Sequence, residues 1–138
     1  MRKDTHRKVT CSPSRGFRLI TTRRKTFACP VDVTLSLIHG KWKPMILWLL
    51  STRHRRFSDF QAAMPQVAHK VLSQQLRQLE ADGLICRGVR DAHAQRVDYR
   101  LTGFGRSLRP ALNALATWGK DHHRALGAEY GVPVAEID

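Results

Sequence analysis

The chain has few of the residues from which catalytic and metal sites are usually built. Its three cysteines, Cys11, Cys29 and Cys86, form neither a CxxC pair nor a disulfide framework. They are expected to be free thiols in a reducing compartment. Among the seven histidines, His122 and His123 are adjacent and diverge around a helix, and His39 and His54 lack partners at ligand spacing. No metal and no cofactor is expected from that pattern. The carboxylates Asp32, Asp59, Glu80 and Asp82 form no paired constellation, and Gly-rich phosphate loops and nucleophile motifs are missing, which argues against an enzyme. No apolar run approaches the roughly 18 residues of a membrane span. The longest covers residues 45–50, and the basic first residues lack the apolar stretch of a secretory signal. A cytoplasmic protein that does not enter a membrane is expected.

Acidic residues are scarce too: 11 Asp and Glu stand against 24 Lys and Arg, for a net charge of +13. Residues 1–28 carry nine basic side chains and one acidic, a net of +8, and residues 29–138 carry fifteen against ten, a net of +5. Such an excess points to a polyanion, with nucleic acid ahead of an anionic membrane surface. A basic protein without a specific partner has the same composition. Residues 1–28 lack sustained periodicity and read as a basic, disordered tail that adds non-specific attraction to phosphates. Residues 29–125 read as one folded domain, and residues 126–138 as a loosely ordered C-terminal tail.

Within the domain, Val33, Leu35, Leu37 and Ile38 indicate a short helix ending at Gly40. Residues 42–51 are apolar nearly all round and predict a central buried helix, with Pro44 in its first turn. Phe57 is expected in a minimal strand, with Ser58 capping a short helix that Pro65 ends. Residues 68–84 then form a helix with two chemistries. Val71, Leu72, Gln75, Leu76 and Leu79 make the inner stripe, while Lys70, Ser73, Gln74 and Arg77 recur at i, i+3, i+4, i+7 on the other side. That polar face carries hydroxyl, amide and cationic groups, the types that read base edges in a major groove. An ordinary solvated face is the competing reading.

From residue 84 to 101 the period changes from helical to alternating, with Ile85, Arg87, Val89 and then Val97, Tyr99, Leu101 around a polar tip at 91–95. This is a β-hairpin. Thr102 caps a final helix reaching about residue 125, which Pro110 should kink or interrupt. Helix, helix, short strand, helix, helix, hairpin, helix is the order of a winged helix-turn-helix: mainly α with a small β wing.

The segments CPVDVTLSLIHGKWKPMILWLL, RRFSDF, KVLSQQLRQLEADGLICR, VDYRLTGFGRSL and ALATWG, in order from Cys29 to Trp118, resemble the HxlR-type winged-helix regulators, which are MarR-like. The resemblance implies a homodimeric, double-stranded-DNA-binding transcriptional regulator acting at an inverted repeat, a repressor in preference to an activator. In some members, electrophiles or oxidants act through the cysteine that matches Cys29. The sequence departs from the pattern where His39 replaces a glycine, where Ala68 stands at the usual Ser or Thr cap, and where Ala94 and Gln95 replace wing-tip prolines.

On this reading Lys70, Ser73, Gln74 and Arg77 face the major groove, Arg55 and Arg56 contact phosphates, and His93, Gln95 and Arg96 extend the wing toward the minor groove or flanking backbone. A polar hairpin tip is the alternative for the wing residues. Cys29, at a helix N-terminus near Arg24 and Lys25, is the redox candidate, against a half-buried structural thiol. Leu108, Leu112, Leu115 and Trp118 form a stripe that is core or dimer interface; the first and last helices are expected to pair two chains. A non-sequence-specific nucleic-acid-binding or chromosome-organising protein would use the same basic fold as a clamp.

Overall fold

Prolines and short polar residues set the helix boundaries. The structure, a computed structural model, describes residues 26–91 and 96–127. Pro30 opens α1 (Pro30–Ile38), where its missing N–H would have had no partner, and the Asp32 carboxylate accepts from the Ala28 N–H at 3.0 Å. Gly40, at φ +102°, makes the turn that a side chain would strain, and Pro44 lies in the first turn of α2 (Lys43–Thr52). Ile46, Leu47, Leu49 and Leu50 bury this helix at the centre of the core, as its all-round apolar sequence predicts.

In α3 (Phe57–Ala63) the cap is not Ser58. Arg56 is the N-cap residue, its N–H donating to the Asp59 carboxylate at 2.8 Å, and Ser58 lies one residue inside the helix. Nor is Phe57 a strand residue. Arg55 instead pairs with Tyr99, its N–H donating to Tyr99 O at 3.0 Å and its carbonyl accepting from Tyr99 N at 2.6 Å. After Pro65 the chain enters α4 (His69–Ala81), which buries Leu72, Leu76 and Leu79. Ala68 is its N-cap and offers no side-chain acceptor, so the expected loss of the cap is real. Gly83, at φ +75°, turns the chain out of the helix.

Antiparallel strands β1 (Ile85–Asp91) and β2 (Arg96–Leu101) form the wing, in a register pairing Ile85 with Leu101, Arg87 with Tyr99 and Val89 with Val97. Thr102 caps the next helix as predicted: its hydroxyl accepts from Gly105 N at 3.0 Å. Pro110 divides the final helical region into α5 (Gly103–Arg106) and α6 (Arg109–His122), the proline taking the first turn of α6. The architecture is a winged helix: α3 and α4 are the helix-turn-helix, the hairpin is the wing, and α1 and α6 each bury one residue, Ile38 and Leu112, in the shared core. Of the two described cysteines, Cys29 is free and exposed. Cys86, half-buried on β1, is disulfide-bonded, contrary to the expectation of free thiols. Among the described residues no helix is long and apolar enough to cross a membrane.

Candidate nucleic-acid interface

Burying Leu72, Leu76 and Leu79 fixes the rotation of α4 about its axis, and that rotation decides which polar side chains look outward. Lys70, Gln74 and Arg77 are exposed on the far side, while Ser73 is half-buried at its edge. The same face carries one more exposed amide, Gln78, eight residues after Lys70; its helical spacing makes it recognisable in retrospect. His69, the first residue of the helix, is exposed, and its ring lies 4.6 Å from that of Phe57, linking the starts of α3 and α4. With no side chain capping the first turn, its N–H groups add positive potential beside Lys70.

The surroundings reinforce this positive surface. Glu80, the acidic residue of α4, is paired with Arg87 of β1 at 3.1 Å, which holds the end of the recognition helix to the wing and masks the carboxylate. Burial pushes the Tyr99 phenol above its ordinary range, with nearby Arg87 opposing, so the ring stays neutral at physiological pH. Burial likewise raises the carboxyl of Asp82 at the end of α4, while Lys43 and His39 pull it down. Further along β2, buried Asp98 accepts from Arg100 Nη2 at 3.0 Å and tightens the strand.

Arg55 is a correction. It was expected on a phosphate, but it is only 2% exposed. Pairing with Tyr99 holds it inward, where Nε donates to Leu49 O at 3.1 Å and Nη2 to Thr52 Oγ1 at 2.7 Å. Its charge is therefore spent on the carbonyl end of α2, where the helix dipole favours a cation. Arg56, the next residue, is exposed at the start of α3. His93 and Gln95 lie outside the described residues, and of Arg96 only its strand position opposite Asp91 is described.

The stripe on α6 divides in two. Leu112 is 4% exposed and belongs to the domain's own core, and Leu108 packs against that core. Leu112 is thereby core and not interface, while Leu108 is half-buried. Leu115 and Trp118, at 60% and 57% exposure, remain uncovered, as do Val31, Val33 and Leu35 of α1. The Trp118 ring stacks on His122 at 4.5 Å, and His122 Nδ1 lies 2.9 Å from Trp118 O. Cys29 is the N-cap residue of α1, and its thiol is free and exposed.

The model of the HxlR-like helix-turn-helix family matches residues 37–126. The Bacillus subtilis HTH-type transcriptional regulator YtcD is 41% identical over 79% of this chain and 87% of its own length. Among solved structures, the redox regulator HypR in its reduced form superposes with a TM-score of 0.67 at 36% identity, covering 72% of this chain and 98% of HypR. Its oxidised form gives a TM-score of 0.63 at 39% identity, over 67% of this chain and 96% of HypR.

Proposed function

Because the chain belongs to the HxlR-like helix-turn-helix family of transcriptional regulators, which are not enzymes, we propose that it is a homodimeric, sequence-specific repressor of transcription whose grip on DNA is relieved by oxidation. The observation that carries the reading is the exposed Lys70, Gln74, Arg77 face of α4, turned outward by the leucines on its opposite side. Arg supplies paired donors for guanine O6 and N7, and Gln a donor and an acceptor for adenine N6 and N7. Two such helices related by a two-fold axis enter successive major grooves of an inverted repeat, about one helical turn apart. Arg56 and the basic residues 1–28 supply phosphate attraction, and the wing flanks each half-site. Repression follows from occupancy.

Footprinting on genomic fragments tests this reading. A short protected palindrome is the expected result. Uniform protection along the fragment would identify instead a non-sequence-specific, chromosome-organising protein.

Dimerisation is assigned to α1 and α6, whose uncovered Val31, Val33, Leu35, Leu115 and Trp118 make an apolar surface beside a core that is already filled. A charge on that surface opposes pairing. Trp118→Glu is expected to bring the sedimenting mass down to that of one chain, 15.7 kDa, with the helical circular dichroism unchanged. A dimer that persists in this variant places the interface elsewhere.

Relief by oxidation is assigned to Cys29, exposed and free at the start of α1, and draws support from the likeness to a redox regulator. Diamide is expected to weaken operator binding by the wild type and to spare Cys29→Ser. Equal weakening of both proteins removes Cys29 from the mechanism.

A further inference from the structure

The final helix has its one fully buried residue and its strongest polar tie to the domain in its first turn. Leu112 is the single buried residue of α6, and from Asn113 to His122 every side chain is exposed or half-exposed. At the start of the helix, Arg109 donates both Nε, at 3.1 Å, and Nη2 to the carbonyl oxygen of Ser51, in the last turn of α2. Two donors on one acceptor, from a planar guanidinium, fix direction as well as distance. One residue further on from Thr52, Arg53 leads into Arg55, whose guanidinium holds Leu49 O and whose backbone pairs with Tyr99 of the wing. The carbonyl end of α2 therefore joins three parts: the projecting helix through Arg109, the core through Leu49, and the wing through Arg55.

We infer that Arg109 is a positioning residue for operator geometry: it fixes the angle at which α6 leaves the DNA-binding body, and so the separation of the two recognition helices. The inference rests on the α1–α6 dimer proposed above. Ten residues beyond Leu112 make a lever of about 15 Å. A swing of about 10° moves the tip of such a lever by roughly 2.6 Å, comparable with the ~3.4 Å rise of one base-pair step. In a two-fold dimer both levers swing, so a loose clamp blurs the half-site spacing that the protein accepts. Arg109 is itself exposed, so water can replace it on Ser51 O and the fold does not depend on it. The role is to hold an angle.

The test uses full-length protein and a duplex that the wild type selects from a random-sequence library. Two derivatives carry the same half-sites one base pair closer and one base pair farther apart. The wild type is expected to prefer its own spacing by about tenfold or more, the size of effect a single misplaced base-pair contact produces. Arg109→Ala is expected to remain dimeric by sedimentation and to bind an isolated half-site as the wild type does, with its spacing preference reduced to about threefold or less. Arg109→Lys, which keeps the charge but not the paired contact, should fall between the two, and it carries the test if the alanine variant unfolds. A dimeric variant with the wild-type spacing preference overturns the inference alone. A wild type that sediments as a monomer and selects a single half-site overturns the dimer reading and the inference with it.

Discussion

Gly105→Ala is expected to cost the domain about 3 kcal/mol or more, the upper part of the range for overpacking a tight site. A β-carbon at this position would lie 2.0 Å from the Leu84 carbonyl oxygen, 3.0 Å from its carbon and 3.2 Å from Leu101 Cδ2. Relief would require a backbone atom to move, and that atom is held. Leu84 O accepts from Thr102 N at 3.1 Å, and the Thr102 hydroxyl, which donates to Gly83 O at 2.5 Å, lies 3.2 Å from Leu84 O. Gly105 N in turn donates to Thr102 Oγ1 at 3.0 Å, closing the cluster. This knot ties three boundaries together: the end of α4, the base of the wing and the start of α5. Thermal unfolding followed by circular dichroism should show a midpoint lower by roughly 12–24 °C, taking 4–8 °C per kcal/mol for a domain of this size. An unchanged midpoint would show that α5 does not approach Leu84 so closely.

The double change Gln74→Ala with Arg77→Ala is expected to abolish operator recognition while leaving the fold intact. Both side chains are exposed, and alanine is a good helix former, so α4 keeps its buried leucines and its length. Each bidentate base contact is worth about 1–3 kcal/mol, so the pair together should weaken operator binding by roughly 30-fold to 20,000-fold. Binding to an unrelated duplex should weaken much less, because Lys70, Arg56 and the basic residues 1–28 still attract phosphates. Gel-shift titrations on the two duplexes at one salt concentration read the difference directly. Equal weakening on both would assign these side chains to the phosphate backbone. No weakening on either would move the interface off α4.

Local chemistry made much of the architecture legible. The leucines at 72, 76 and 79, the change to an alternating pattern after Gly83, the Thr102 cap and the break at Pro110 each depend on neighbours within about one helical turn or one hairpin, and each is found where the pattern places it. Ala68 was equally readable, since a missing side-chain acceptor needs no tertiary knowledge. The misplaced residues share a different property. Arg55 stands in a basic run and reads as solvent-facing, yet a partner 44 positions away turns it inward. Ser58 has the chemistry of a cap but yields to Arg56, because pairing of Arg55 with β2 sets where α3 can begin.

The elements, their order and the chemistry of the α4 polar face follow from residue pattern, because helical and strand periodicities are local and amphipathic faces must be buried. Which members of one stripe belong to which surface depends on packing between distant parts of the chain. Leu108 and Leu112 face inward while Leu115 and Trp118 stay uncovered, though all four lie on the same apolar side of the chain. The division follows from where α6 meets α2, and that meeting includes the contact of Arg109 with Ser51, between residues 58 positions apart. A repeat pattern gives the side of a helix that must be covered; the meeting with a distant helix gives the point along it where the domain's own core ends.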